Sequence, residues 1–195
     1  MNIIQLSKIL FYTSIIVWLF PPVRNFKRKY FLYFVFLAIS DPISLLLRKV
    51  GLHSRYISII FIIFCFCYLI SVLDKNEIKR YKYLLIFVVL FTLLLNFIVN
   101  KQDIVLLTFI IIHWIIFLIF FKHFSTFLIN ERIISVFYIV LLFYELTIIT
   151  KFLIILFNAE YATAFFIITS IFQIAFGLFF SIFREDKTSI ALKRG

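Results

Sequence analysis

Five polar side chains fall deep inside apolar runs of this 195-residue chain: Asp41, Ser44, His113, Glu145 and Gln173. Two carboxyls and an imidazole could perform acid–base chemistry, relay a proton, bind a cation or line a ligand pocket. An ionisable group at the centre of a membrane helix costs ~2.5–3.5 kcal/mol on insertion scales, so each one marks a candidate site. The competing reading is a set of structural hydrogen bonds, and a lone buried histidine is more often a satisfied core imidazole than a ligand. Asp41 is the most unusual of the five. In "FLAISDPISLLLRK" it precedes Pro42, and Asp41, Ser44 and Arg48 recur at i, i+3 and i+7 on one helix face. Pro42 deletes the hydrogen bond to the Ala38 carbonyl. It therefore either kinks a continuous helix or begins a half-helix capped by Asp41. Such breaks normally recruit glycine, and none follows before Gly51, which favours the kink. Glu145 and Lys151 are six residues apart, roughly 240° around a helix, and must find partners elsewhere. Asn96 and Lys151 lie in the outer third of their runs, where water has access, and are set outside the deep group.

The elements that would position these residues follow from composition. The chain is 65% hydrophobic with a mean hydropathy of +1.14, beyond what a soluble core requires. Long apolar runs without alternation mean membrane helices, because lipid offers the backbone no hydrogen-bond partners. Charge breaks divide the chain into seven candidate spans, at about 4–21, 30–49, 55–73, 82–99, 103–121, 133–157 and 161–183. At ~1.5 Å per residue, Asp41, His113, Glu145 and Gln173 all fall ~15–18 Å along their spans, near one mid-bilayer level. The expected fold is all-α: a polytopic bundle of seven transmembrane helices over 1–183, with a short basic cytoplasmic tail at 184–195.

Charge gives the orientation. Arg24, Lys27, Arg28 and Lys29, then Lys75, Lys79, Arg80 and Lys82, then Lys122 and Arg132, and finally Arg184, Lys187, Lys193 and Arg194 occupy alternate loops. They are the majority of the 20 Lys+Arg, so these loops are cytoplasmic, with the N-terminus out and the C-terminus in. The net charge of +11 is spread over separate short loops, which suits anionic lipid headgroups and not nucleic acid. The first run lacks a basic leader and a small-residue cleavage site, and reads as an uncleaved helix. Cys65 and Cys67, at i and i+2, point to different faces and read as core thiols. The last run has no lysine for a retinal Schiff base, and neither a His-Glu-x-x-His nor a Gly-x-Ser-x-Gly motif occurs. No cofactor, metal site or catalytic residue is expected.

In layout, "YFLYFVFLAISDPISLLL", "YISIIFIIFCFCYLISVLDKN", "FYIVLLFYELTIITKFLIILF" and "FFIITSIFQIAFGLFFSIFRED" resemble the spans of small bacterial seven-helix membrane proteins and of the seven-helix sensory regions of some histidine kinases. That resemblance implies a non-enzymatic sensory, binding or scaffold protein of the cytoplasmic (inner) membrane, with a membrane or cytoplasmic signalling partner. It carries no shared catalytic residues. A weaker resemblance, on Asp41 before Leu45-Leu46-Leu47, is to the YhhN-like lysoplasmalogenases. It implies a membrane lipid hydrolase using Asp41 and Glu145, although that family's early Lys-Pro motif is absent here. A small transporter is the third expectation.

Overall fold

The computed structural model describes residues 3–99, 102–157 and 162–191. Lys193 and Arg194 of the charge pattern lie outside the described residues. The chain is an all-α bundle: α1 (Ile3–Trp18), α2 (Phe20–Arg24), α3 (Phe31–Lys49), α4 (Ser54–Val72), α5 (Lys75–Val99), α6 (Gln102–Thr126), α7 (Val136–Leu156) and α8 (Ala162–Ile182). Among the described residues six stretches are long and apolar enough to cross a membrane, with α1 and α2 counted as one; the apolar stretch of α4, Tyr56–Val72, is shorter. The outside of the bundle is apolar as well. On α5 alone Tyr83, Leu84, Phe87, Leu90, Leu94 and Ile98 are exposed. A soluble monomer rarely shows so large a continuous apolar face, whereas lipid covers it without cost.

Helix boundaries differ from the hydropathy reading where local chemistry intervenes. The first span is two helices, since Pro21 and Pro22 have no N–H to donate back to α1 and instead occupy the first turn of α2. Asn25 then anchors α2, its Nδ2 donating to the carbonyls of Pro21 at 2.9 Å and Phe180 at 3.3 Å. α3 runs unbroken through Pro42, so the half-helix alternative is not adopted. α5 starts seven residues before the apolar run. Glu77 accepts a hydrogen bond from the Asp74 N–H at 3.2 Å, half of a capping box that opens the helix within charged sequence. α6 ends in a wide π turn, Phe127–Glu131, and Arg132 reverses the chain at φ 53°.

A two-stranded ribbon adds to the expected all-α fold. Residues 133–135, assigned above to the sixth span, form β1 (Ile133–Ser135), paired antiparallel with β2 (Ser189–Ala191) in the tail. The Val136 N–H donates to the Thr188 carbonyl at 3.0 Å, which supplies a partner for an otherwise unpaired group in the first turn of α7. The tail therefore docks. At this end the loops also meet through Lys29–Asp74 at 3.2 Å, Lys122–Glu77 at 2.8 Å and the Arg24 Nε bond to the Ile182 carbonyl at 3.1 Å.

α1 passes close to α8 at Gly177. A Cβ at Gly177 would lie 2.7 Å from Val17 Cγ1 and 3.3 Å from Trp18 Nε1. Gly177→Ala is expected to lower stability in detergent by about 1–3 kcal/mol through overpacking, with Gly177→Leu worse. Adding Val17→Ala to Gly177→Ala should recover part of the loss in a thermal unfolding scan.

Candidate functional site

The centre of the bundle is organised by one carboxylate. Glu145, on α7, is fully buried at 0% exposure. Its Oε1 accepts the Tyr33 hydroxyl from α3, and its Oε2 bonds His113 Nδ1 on α6 at 2.7 Å. Both oxygens are thus engaged, and three helices are tied at one point. With Nδ1 committed, Nε2 is the ring nitrogen His113 can offer to a ligand. The imidazole is held between aromatic rings, with centroids 6.0 Å from Tyr68 and 6.1 Å from Phe152.

His113 also forms part of the wall of a cavity of about 1010 Å³ enclosed by α1, α3, α4, α5, α6, α7 and α8. Drug-sized sites usually measure ~300–1,000 Å³, so this one can take a large molecule. Its floor lies at Trp18, Tyr68, His113 and Tyr144, and its rim carries Lys8 and Arg48. Both rim residues are exposed, at the end of the bundle opposite the docked tail. Below the floor, Tyr30, Phe34, Phe120, Phe137 and Phe180 are all at most 1% exposed and stack edge to face, closing the core. A second cavity, about 240 Å³, touches Arg28, Ser135 and Glu185 near the ribbon and is remote from the buried polar group.

Of the five residues singled out in the sequence, Asp41, Ser44, His113 and Gln173 line the large cavity. Glu145 does not; it stands behind His113 as its support. Trp18 links α1 to this layer, its indole N–H donating to the Gln173 carbonyl at 3.1 Å and its ring packing 4.8 Å from Tyr144.

Two residues set aside as near-surface belong to the site. Lys151 lines the same cavity and couples electrostatically to Asp41 on the facing helix, while its Nζ lies 4.9 Å over the Phe166 ring. Asn96 is only 1% exposed, lines the cavity, and its Nδ2 has no hydrogen-bond partner among the described residues. Depth along a span misjudged both, because the cavity runs from mid-bundle to the rim and makes end-lying residues interior. Tyr33 was not foreseen either; its only signal was a tyrosine near a span end, which interfacial placement explains equally well. Cys65 is buried and Cys67 half-buried, both as free thiols. Among the described residues no group of three or more His, Cys, Asp or Glu side chains could hold a metal ion.

Removing one member of a buried hydrogen-bonded pair strands the other. Glu145→Leu, which leaves both the Tyr33 hydroxyl and His113 Nδ1 unmatched, is therefore expected to destabilise the protein by about 1–3 kcal/mol for each group stranded. The double variant Glu145→Leu/His113→Leu should be less damaging than Glu145→Leu alone, as read by unfolding midpoints in detergent. Compared with protein-family models, curated proteins and solved structures, the chain matches none.

Proposed function

We propose that the chain is a seven-helix protein of the cytoplasmic membrane, N-terminus outside and C-terminus inside, that binds a small molecule from the outer side. It acts as a sensory or binding component and not as an enzyme. In this reading α4 crosses as the third span, short for the bilayer but bounded by His53 and Asp74 at the two surfaces. The observation that carries the proposal is the one-sided cavity, with polar groups inside, cations at its rim and a packed aromatic core beneath. The excess of basic loops at the opposite end supports the orientation. The docked tail and the loop ion pairs at that end would form the face presented to a cytoplasmic signalling partner.

The same geometry weighs against the other two functions. A lipid hydrolase using Asp41 and Glu145 needs both carboxyls on the substrate, but Glu145 spends both oxygens on Tyr33 and His113. A continuous pore needs a second opening, and the aromatic layer fills the position where it would lie.

Orientation and use of the cavity can be tested together. In a background lacking Cys65 and Cys67, Arg48→Cys should react with a membrane-impermeant maleimide in intact cells. Lys75→Cys should react only after permeabilisation. Native mass spectrometry of the extracted protein should then show a bound small molecule that Ser44→Phe displaces. Reaction of both cysteines in intact cells would refute the topology, and turnover of a lysolipid abolished by Asp41→Asn would restore the hydrolase.

A further inference from the structure

The proposed binding role leaves the ligand open, and the cavity's chemistry narrows it. Four ionic side chains line the wall: Lys8, Arg48 and Lys151 are cationic, and Asp41 alone is anionic. Asp41 and Lys151 offset one another across the space. Lys8 and Arg48 remain, and neither makes an ion pair among the described residues. The site therefore carries a positive excess at its mouth. Asn96 adds an independent sign. It lies in the last turn of α5, towards the same end as Arg48 in the last turn of α3, with a buried Nδ2 donor left unmatched. A buried donor without a partner is destabilising, and an acceptor on a ligand would satisfy it. Beside these groups Phe61, Phe109, Phe152 and Phe166 supply an apolar stretch of the wall, with Phe109 and Phe152 stacked at 4.9 Å and Lys151 Nζ 4.9 Å over Phe166.

Cations at the mouth, an unmatched buried donor and an aromatic stretch of wall: we infer that the cavity takes an amphiphile with an anionic headgroup, a carboxylate or a phosphate, whose chain lies along the phenylalanine wall. A cationic ligand would meet Lys8 and Arg48 at entry. A small inorganic anion would leave the aromatic wall uncovered. This assignment rests on the ligand-binding reading above and sharpens it.

Two tryptophans make the test direct, because Trp18 lines the cavity whereas Trp114 lies on the outer surface at 42% exposure. The full chain with Trp114→Phe, in neutral detergent, is titrated with dibrominated stearate and with its methyl ester while Trp18 fluorescence is followed. The acid should quench saturably, with the ester at least about tenfold weaker, the scale of one charge-assisted hydrogen bond. Lysophosphatidic acid should reverse the quenching, and inorganic phosphate should not. Asn96→Leu, and separately Lys8→Gln/Arg48→Gln, should each weaken acid binding about tenfold and leave ester binding unchanged. Those two readouts separate a lost headgroup contact from a damaged fold.

Equal affinity for acid and ester would overturn the anionic headgroup, and displacement by inorganic phosphate would overturn the amphiphile. Should neither lipid bind while native mass spectrometry still finds another molecule displaced by Ser44→Phe, the headgroup assignment falls and the binding role stands. Absence of any bound or binding molecule would remove both.

Discussion

A carboxylate that cannot reach water must be answered by protein, and Glu145 is answered twice. In a medium as apolar as this bundle an unpaired carboxylate would cost several kcal/mol, a large part of the margin on which a fold survives. The Tyr33 hydroxyl and the His113 imidazole remove that cost only if α3, α6 and α7 stand in one arrangement. Phe, Ile and Leu side chains make a less directional demand, since hydrophobic attraction has no preferred partner atom. The polar tie therefore fixes which faces of three otherwise interchangeable apolar helices turn inward. Trp18, bonded to the Gln173 carbonyl and packed on Tyr144, extends the same layer to α1 and α8.

Everything else is arranged about that layer, and differently on its two sides. Towards the docked tail, large aromatic rings fill the core edge to face. Towards Lys8 and Arg48, Ser14, Ser40 and Ser44 replace large side chains on α1 and α3, and the helices enclose space instead of each other. Pro42 lies at the change. Without its N–H the Ala38 carbonyl loses its intrahelical partner, and α3 remains helical past a point where it is free to diverge. Asp41, immediately before it, lies on the cavity wall opposite Lys151.

The sequence made the helices plain because lipid imposes a coarse, long-range pattern, and the runs at 30–49, 55–73 and 161–183 end within a residue or two of α3, α4 and α8. What it concealed was local. The Asp74–Glu77 capping pair sits in charged residues that hydropathy treats as loop, and β1 is extended only because a tail more than 50 residues later pairs with it. The polar group was legible for the same reason the spans were: a charge in an apolar run stands out. Its partition was not. Whether Asp41 or Glu145 faces open space depends on which rotation each helix adopts, and that depends on contacts between helices far apart in sequence. Asn96 and Lys151 were misjudged because distance from a span end measures depth in lipid, whereas exposure depends on the bundle's own hollow.

A layer that joins three helices also limits how the two ends can respond to each other. α7 carries Glu145 at the centre and Tyr138 near the tail, and the Tyr138 hydroxyl meets Glu185 at 2.6 Å and the Tyr30 hydroxyl at 2.9 Å. α3 carries Asp41 on the cavity, Tyr33 on Glu145, and Tyr30 just ahead of its first turn. The helices that would feel a ligand are therefore the helices that hold the tail and its ribbon. Spatial continuity of this kind does not amount to coupling, which requires an element with two arrangements that a ligand distinguishes. In the proposed sensory reading, the ribbon is the element at the tail end to which such a requirement applies. Among the described residues it is held by three residue pairs, the Val136–Thr188 bond and one tyrosine–glutamate bond, a small set beside the packed core, and α7 supplies one partner of each of those two bonds.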